Sequence, residues 1–313
     1  MRVYVTGADG MLGTALLAAL RDHHATADWP VLGVSLRDFD IADAAAVSAS
    51  IDAFRPDVVV HAAALAIVDE CEVDPRRAGR INVGGTHNVV AASRRHDSRL
   101  VYISSDYVFD GRARPVGGYR EDDVPNPLSV YGLTKLAGER IATTCPRSLV
   151  VRTSWLFGGR DERTDNVLAM VRRARHGRTT GLIADQFSCP TYTVDLARAV
   201  VHLLVEAPDL VGTVHVANTG SASWYQVGET VLAALAGSDR NTRGMPKPTR
   251  ARMADCGFVG ERPRDSTLST ERLAALGHAM PGWADAVERF CTRLVATPDS
   301  AGAQAQPVTA HAS

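Results

Sequence analysis

Short runs rich in β-branched residues alternate with longer stretches of helical period through the first half of the chain. The short runs fall at residues 3–6, 31–35, 58–61, 100–104 and 149–152. Between them, apolar residues spaced three and four apart predict helices over 11–21, 44–54, 76–95 and 128–143. Val58, Val59 and Val60 are apolar on both faces, which suits a strand inside a parallel sheet covered by helices on both sides. The alternation therefore predicts an α/β fold: a doubly wound parallel sheet with right-handed crossovers.

The rhythm changes after Arg152. Residues 158–190 are richer in Gly and Arg and hold one helical stretch at 166–175. A helix at 193–206 and a strand at 214–216 return to the sheet. Amphipathic helices are expected at 224–236 and 284–295, with a loop rich in Pro, Arg and Gly over 238–264. The expected organisation is a sheet domain of residues 1–156 plus about 190–218, and a smaller C-terminal substrate-binding lobe of about 157–189 plus 219–296. Residues 297–313 are small and polar and are expected to be disordered.

Composition removes several classes of function. The 313 residues are 45% apolar and 22% charged with a net charge of −1, so no global field draws the chain to nucleic acid or an anionic membrane. The five cysteines, at 71, 145, 189, 256 and 291, form no CxxC pair, and the histidines have no metal-ligand spacing. Neither a disulfide framework nor a metal site is expected. No apolar run approaches the roughly 18 residues of a membrane span, so a cytoplasmic location is the expectation.

The first turn carries chemistry. Gly7, Gly10 and Gly13 stand between the first strand and the first helix in GxxGxxG spacing. Glycines there permit a tight turn and close approach of a pyrophosphate, and the helix N-terminus supplies N–H groups and partial positive charge. This makes the sheet Rossmann-type. An acid at the end of the second strand would bind a ribose diol and repel a 2′-phosphate; Ser35 stands there instead, with Arg37 close by. NADPH is the expected cofactor, with NADH left open through Asp38. Asp40 and Ile41 follow at the adenine side, and Ala62, Ala63 and Ala64 follow the third strand with little bulk.

Tyr131 and Lys135 form a YxxxK pair, which puts phenol and ammonium on one helix face. A phenol of pKa about 10 is a poor proton donor unless its phenolate is stabilised, and a neighbouring ammonium does this. Ser104 and Ser105 end the fourth strand, at the carboxyl edge where open α/β sheets bind ligands. A hydroxyl there can hydrogen-bond a carbonyl.

Seven stretches carry a resemblance: VTGADGMLG, RPDVVVHAAALAIVDECE, ISSDYVFDG, YREDDVPNPLSVYGLTKLAGE, VVRTSWLFG, ADQFSCPTYTVDLA and RPRDSTLST. In them the chain resembles the extended short-chain dehydrogenase/reductase family, and within it the dTDP-4-dehydrorhamnose reductases and related NDP-4-keto-sugar reductases. The resemblance implies NADPH-dependent reduction of the 4-keto group of a dTDP-linked 4-keto-6-deoxysugar. It implies a catalytic triad of Ser105, Tyr131 and Lys135, with Tyr131 as general acid and Lys135 on the nicotinamide ribose. Gly10, Met11 and Leu12 would line the pyrophosphate, and Ala64, Leu65 and Ala66 would lie along the cofactor. Ser105, Asp106 and Trp155 would touch the sugar, Val68 would wall the cleft, and Arg262 would lie near the nucleotide diphosphate. Asn82 matches a helix asparagine tied to structure and proton relay. His61, Ser35 and Ser188 depart from the family's frequent Asn, acid and Gly. A 4-epimerase or dehydratase on the same scaffold, and a non-catalytic NADP-binding regulatory subunit, remain as alternatives, and a homodimer is left open.

Overall fold

A computed structural model of the chain describes residues 1–112, 115–236, 242 and 244–296. Its strands are β1 (Val3–Thr6), β2 (Val31–Val34), β3 (Val58–His61), β4 (Arg99–Ser105), β5 (Ser148–Thr153), β6 (Leu156–Phe157), β7 (Gly181–Ile183), β8 (Thr191–Tyr192), β9 (Gly212–His215) and β10 (Thr249–Ala251). Six of them form a sheet in the order β2-β1-β3-β4-β5-β9, and every pair in it is parallel.

Side-chain alternation explains why the sheet is covered on both faces. Val3, Val5, Val58, Val60, Val101, Ile103, Leu149 and Val151 point to one side, where α1 (Met11–Asp22) packs on a later helix, Thr193–Val205. Tyr4, Val59, Leu100, Tyr102 and Val150 point to the other, under α2 (Ala44–Phe54) and the helix Thr86–Arg95. Each such side chain contributes about 1.5–3 kcal/mol by leaving water.

The order reverses at β1. The chain leaves β1 for β2 on one side and returns to β3 on the other, so the carboxyl ends of β1 and β3 flank a topological switch point. Gly7 follows β1 and Ala62–Ala64 follow β3, which places both predicted segments at that crevice.

The expected helix 76–95 is composite. It runs as α4 (Pro75–Ala78), a π-helical turn (Gly79–Gly85) and α5 (Thr86–Arg95). Ahead of it lies α3 (Val68–Val73), which the apolar period did not announce. After β4 comes a 3-10 turn (Asp106–Val108), then α6 (Val130–Ala142), whose N-terminus is capped by Ser129 Oγ accepting from Gly132 N–H at 3.1 Å.

A second hydrophobic core joins α7 (Asn166–Arg175), α9 (Trp224–Ala236) and α11 (Trp283–Ala296) around Phe157, Tyr192 and Phe290. Between α7 and α9 runs α8 (Thr193–Val205), the helix already met against α1; α10 (Glu271–Ala275) precedes α11. The expected loop 238–264 holds β10, paired with β7, and a 3-10 turn at Met253–Asp255; residues 238–241 and 243 lie outside the described residues. The tail 297–313 lies outside them as well. Among the described residues no helix is long and apolar enough to cross a membrane.

Candidate active site

The β1–α1 turn is closed by backbone. Gly7 has φ 69° and its absent Cβ would stand 2.9 Å from Ala63 Cα, so a side chain would push the two carboxyl ends apart. A Cβ on Gly13 would stand 2.1 Å from the Gly7 carbonyl oxygen. Gly10 N–H donates to the same oxygen at 3.0 Å. No side chain caps the start of α1, which leaves its first amides to an anion. Met11 lies against Gly159, whereas the Leu12 side chain is buried in the sheet core, so only its backbone can line a pyrophosphate.

Ser35 and Arg37 stand at the end of β2. Arg37 is exposed and its Nε is 3.6 Å from Asp9. The Asp38 carboxylate accepts from Ser35 N–H at 2.8 Å and from Ser35 Oγ at 3.2 Å, so it is turned back onto the turn. The side chains of Asp40 and Ile41 are committed to the fold: Asp40 accepts from Arg80 at 2.7 Å and from Ala42 N–H at 2.9 Å, and Ile41 packs where Gly85 leaves room.

The segment after β3 is held from below. Ala63 N–H donates to Thr6 Oγ1 at 3.1 Å, and Ala62 and Ala63 pack on opposite cores. Asn82, from the π-helical turn, accepts from Leu65 N–H at 2.7 Å and donates to the Leu65 carbonyl at 3.0 Å and to Thr134 Oγ1 at 3.0 Å. Ala64 is half-buried and Ala66 exposed. His61 is buried between Thr6 Oγ1 (2.7 Å) and Thr86 Oγ1 (3.0 Å), and burial, then the Lys135 charge, pushes its pKa down to about 3. It serves as a neutral structural link.

The YxxxK pair lies on α6 as the spacing requires. Tyr131 is half-buried and meets Tyr107 edge-on at 5.8 Å. Burial raises its pKa above the usual phenol range, opposed by the Ser105 hydroxyl. Lys135 is 4% exposed; its Nζ donates to the Ile103 carbonyl at 2.6 Å and sits 4.3 Å from the centre of the Tyr102 ring. Burial pushes its pKa down to about 7, opposed by Glu139 one turn on. Among the described residues no hydrogen bond joins Lys135 to Tyr131, and burial keeps the phenol protonated.

Glu139 sits under that pair. It takes a bidentate bond from Arg152, with both N–O distances 2.9 Å, and a hydroxyl from Ser104 at 2.6 Å. Its place eight residues after Tyr131 on the same helix was a readable signal.

Two of the expected substrate contacts are engaged by the protein itself. Asp106 is 1% exposed and both carboxylate oxygens accept from serine hydroxyls, so it stands behind the site and does not face a sugar. Arg262 is turned toward α3: it donates to Asp69 at 2.9 Å and lies 3.8 Å from the Phe258 ring centre, so the guanidinium is not presented to a diphosphate in this state. Asp69 also accepts from Val259 and Gly260 N–H, both at 3.0 Å, while Glu72 accepts from Val130 N–H at 2.6 Å beside Tyr131. This α3 strap, with Val68 packed against Gly260, went unread in the sequence because its acids pair with residues far along the chain.

Trp155 has φ 40°, a strained value for a bulky residue, and stacks on Trp224 with ring centres 4.0 Å apart. A separate open cleft of about 510 Å³, lined by Gly118, Gly220, Thr267 and Ser269 among others, contains none of Ser105, Tyr131 and Lys135.

The chain is similar to known proteins over most of its length. A dTDP-4-dehydrorhamnose reductase of Aggregatibacter actinomycetemcomitans is 32% identical over 295 residues, covering 92% of this chain and 98% of that protein. A dTDP-4-keto-6-deoxy-D-glucose reductase of Streptomyces niveus is 36% identical over 247 residues, covering 78% and 82%. The crystal structure of dTDP-4-dehydrorhamnose reductase from Bacillus anthracis in complex with NADP superposes with a TM-score of 0.83 at 32% identity, covering 93% of this chain and 99% of that one. A Thermus thermophilus UDP-glucose 4-epimerase, at 22% identity and TM-score 0.73, shares the fold. The model of the RmlD substrate binding domain matches residues 1–296, and the chain belongs to that family.

Proposed function

We propose that the chain is an NADPH-dependent reductase of the 4-keto group of a dTDP-linked 6-deoxysugar. One observation carries the reading: a half-buried phenol and a buried ammonium on α6 stand beside Ser105 at the carboxyl end of β4, in a sheet whose switch point is lined by a glycine turn. The glycine cradle and the uncapped start of α1 fit a dinucleotide pyrophosphate, and Ser35 with Arg37 fits a 2′-phosphate. Bound NADPH supplies the hydride.

The protein's own groups do the rest. Tyr131, kept protonated by burial, donates a proton to the oxygen that becomes the new alcohol. Ser105 fixes the phenol's direction. Lys135, which donates to the Ile103 carbonyl here, would hold the nicotinamide ribose when the cofactor is bound, and its charge would ease loss of the phenolic proton. Trp155 and Val68 wall the sugar, with Trp155 held by its stack on Trp224. Arg262 reaches the diphosphate after leaving Asp69.

The test is a set of dTDP-4-keto-6-deoxysugars incubated with NADPH or NADH. Stoichiometric loss of reduced cofactor and an alcohol at carbon 4 in the product's NMR spectrum are expected, with faster turnover on NADPH. Sugar isomerisation without net cofactor use would overturn the reading.

A further inference from the structure

The chain has two lysines, Lys135 and Lys247, and they stand in opposite surroundings. Lys247 is exposed and donates to Glu229 at 2.7 Å, which holds its pKa above the usual ammonium value. Lys135 is buried, and an aromatic ring forms the floor of its site. Its Nζ lies over the Tyr102 ring, 4.3 Å from the centre, while donating to the Ile103 carbonyl at 2.6 Å. Tyr102 is buried on β4, three residues before Ser105. Its hydroxyl donates to the Lys135 carbonyl at 3.4 Å, which ties the far end of the ring to α6. Room for that hydroxyl comes from Gly138, where a Cβ would stand 2.1 Å from Tyr102 Oη. A glycine inside a helix weakens it, and here it is what lets the ring lie against α6.

A buried ammonium has lost its water shell, and a single carbonyl takes only one of its three protons. The negative face of an aromatic ring attracts a cation, and more strongly when both are out of water. Among the described residues no carboxylate lies within ion-pair distance of Lys135. Glu139, one turn on along α6, is engaged by Arg152 from β5 and by Ser104 from β4. The other titratable groups around the ammonium add no charge. His61 on β3, tilted against the Tyr102 ring at 5.7 Å, is neutral. Tyr102 and Tyr131 stay protonated because burial raises both.

We propose that Tyr102 is a positioning residue for Lys135: the face of its ring holds the ammonium charged and in place beside β4, and Gly138 gives the ring its room. The kinetic arm of the test rests on the reductase reading. Burial pushes the Lys135 pKa down to about 7, opposed by Glu139. A ring with a less negative face lets it fall further. Lys135 acts as a cation, so activity is present below its pKa and lost as pH rises through it. Weakening the ring face therefore moves the basic limb of the pH profile to lower pH.

The experiment compares the native chain with Tyr102→Phe, which keeps the ring, and with mono-, di- and trifluorinated phenylalanine at the same position. Fluorine draws charge from the ring face with little change of shape. The cofactor-free protein, labelled with ¹³C-lysine, gives one Cε signal for each of its two lysines, and Lys135→Met assigns them. Lys135 is expected to titrate at about 7 in the native chain and to stay there in Tyr102→Phe. It is expected to fall stepwise with fluorination, by about half a pH unit or more in the trifluorinated form, while Lys247 stays in place. A Lys135 titration that ignores fluorination, or rises with it, overturns the proposal. The second readout is the pH profile of kcat/KM for NADPH, which reports the free enzyme. Its basic limb is expected to fall in parallel, and a limb that stays in place while the titration moves overturns the positioning role. If the native chain reduces no keto sugar, the reductase reading fails, and the titration by itself supports or overturns the ring's hold on the ammonium.

Discussion

The glycine turn after β1 and the ground beneath Tyr131 serve one site and are built in opposite ways. The turn is local: Gly7, Gly10 and Gly13 span one strand end and the first turn of α1, and they work by lacking side chains. The other region is assembled from α3, β4, β5, α6 and the C-terminal segment through buried charges and hydroxyls. A backbone cradle has no way to compensate for an added atom. A network of hydroxyls and ion pairs can rearrange around a loss until an unpaired charge is left buried.

The sharpest break of this contrast is Gly13→Ala. A methyl 2.1 Å from the Gly7 carbonyl oxygen must displace the turn, so NADPH affinity is expected to fall by about a hundredfold or more; titration calorimetry measures it. Next comes Glu139→Gln, which strands the buried Arg152. Chemical denaturation is expected to show a loss of about 3–5 kcal/mol, and Glu139→Gln/Arg152→Met should recover most of it. If the double variant stays as unstable as the single one, the pair is not the source.

A smaller effect is expected for Asp69→Ala. Its carboxylate is partly open to solvent, so the loss is about 1 kcal/mol, accompanied by a change in KM for the nucleotide sugar as Arg262 is released. An unchanged KM would separate the α3 strap from substrate binding. A further test is one of pH. Lys135 is shifted down to about 7 in the fold against about 10.4 unfolded, so the unfolded chain binds more protons between those values. Native stability should therefore rise from pH 7 toward pH 10 relative to Lys135→Met. Parallel stability curves would contradict the shift.

The same contrast governs what could be read from the sequence. β1, β3, α2, α7 and α9 lie where apolar period places them, because each is decided by neighbours in the chain. The glycine spacing and the YxxxK pair were legible for the same reason. The helix expected over 76–95 was legible as a helix, but its π-helical centre was not, since that distortion serves the reach of Asn82 to Leu65. Ser154, Ser188 and Ser266 carry no local mark: each reads as a turn residue until β4, β5 and the C-terminal segment are brought together. Asp106 and Arg262 were assigned to a sugar and a diphosphate, and both proved to be engaged by the protein itself.

The central claim is that the Tyr131 phenol delivers the proton while a keto sugar is reduced. Tyr131→Phe removes one oxygen and leaves α6 intact. The account predicts that single-turnover NADPH oxidation with a dTDP-4-keto-6-deoxysugar slows by about a hundredfold or more while NADPH binding is kept. Turnover near the native rate in that variant would contradict it.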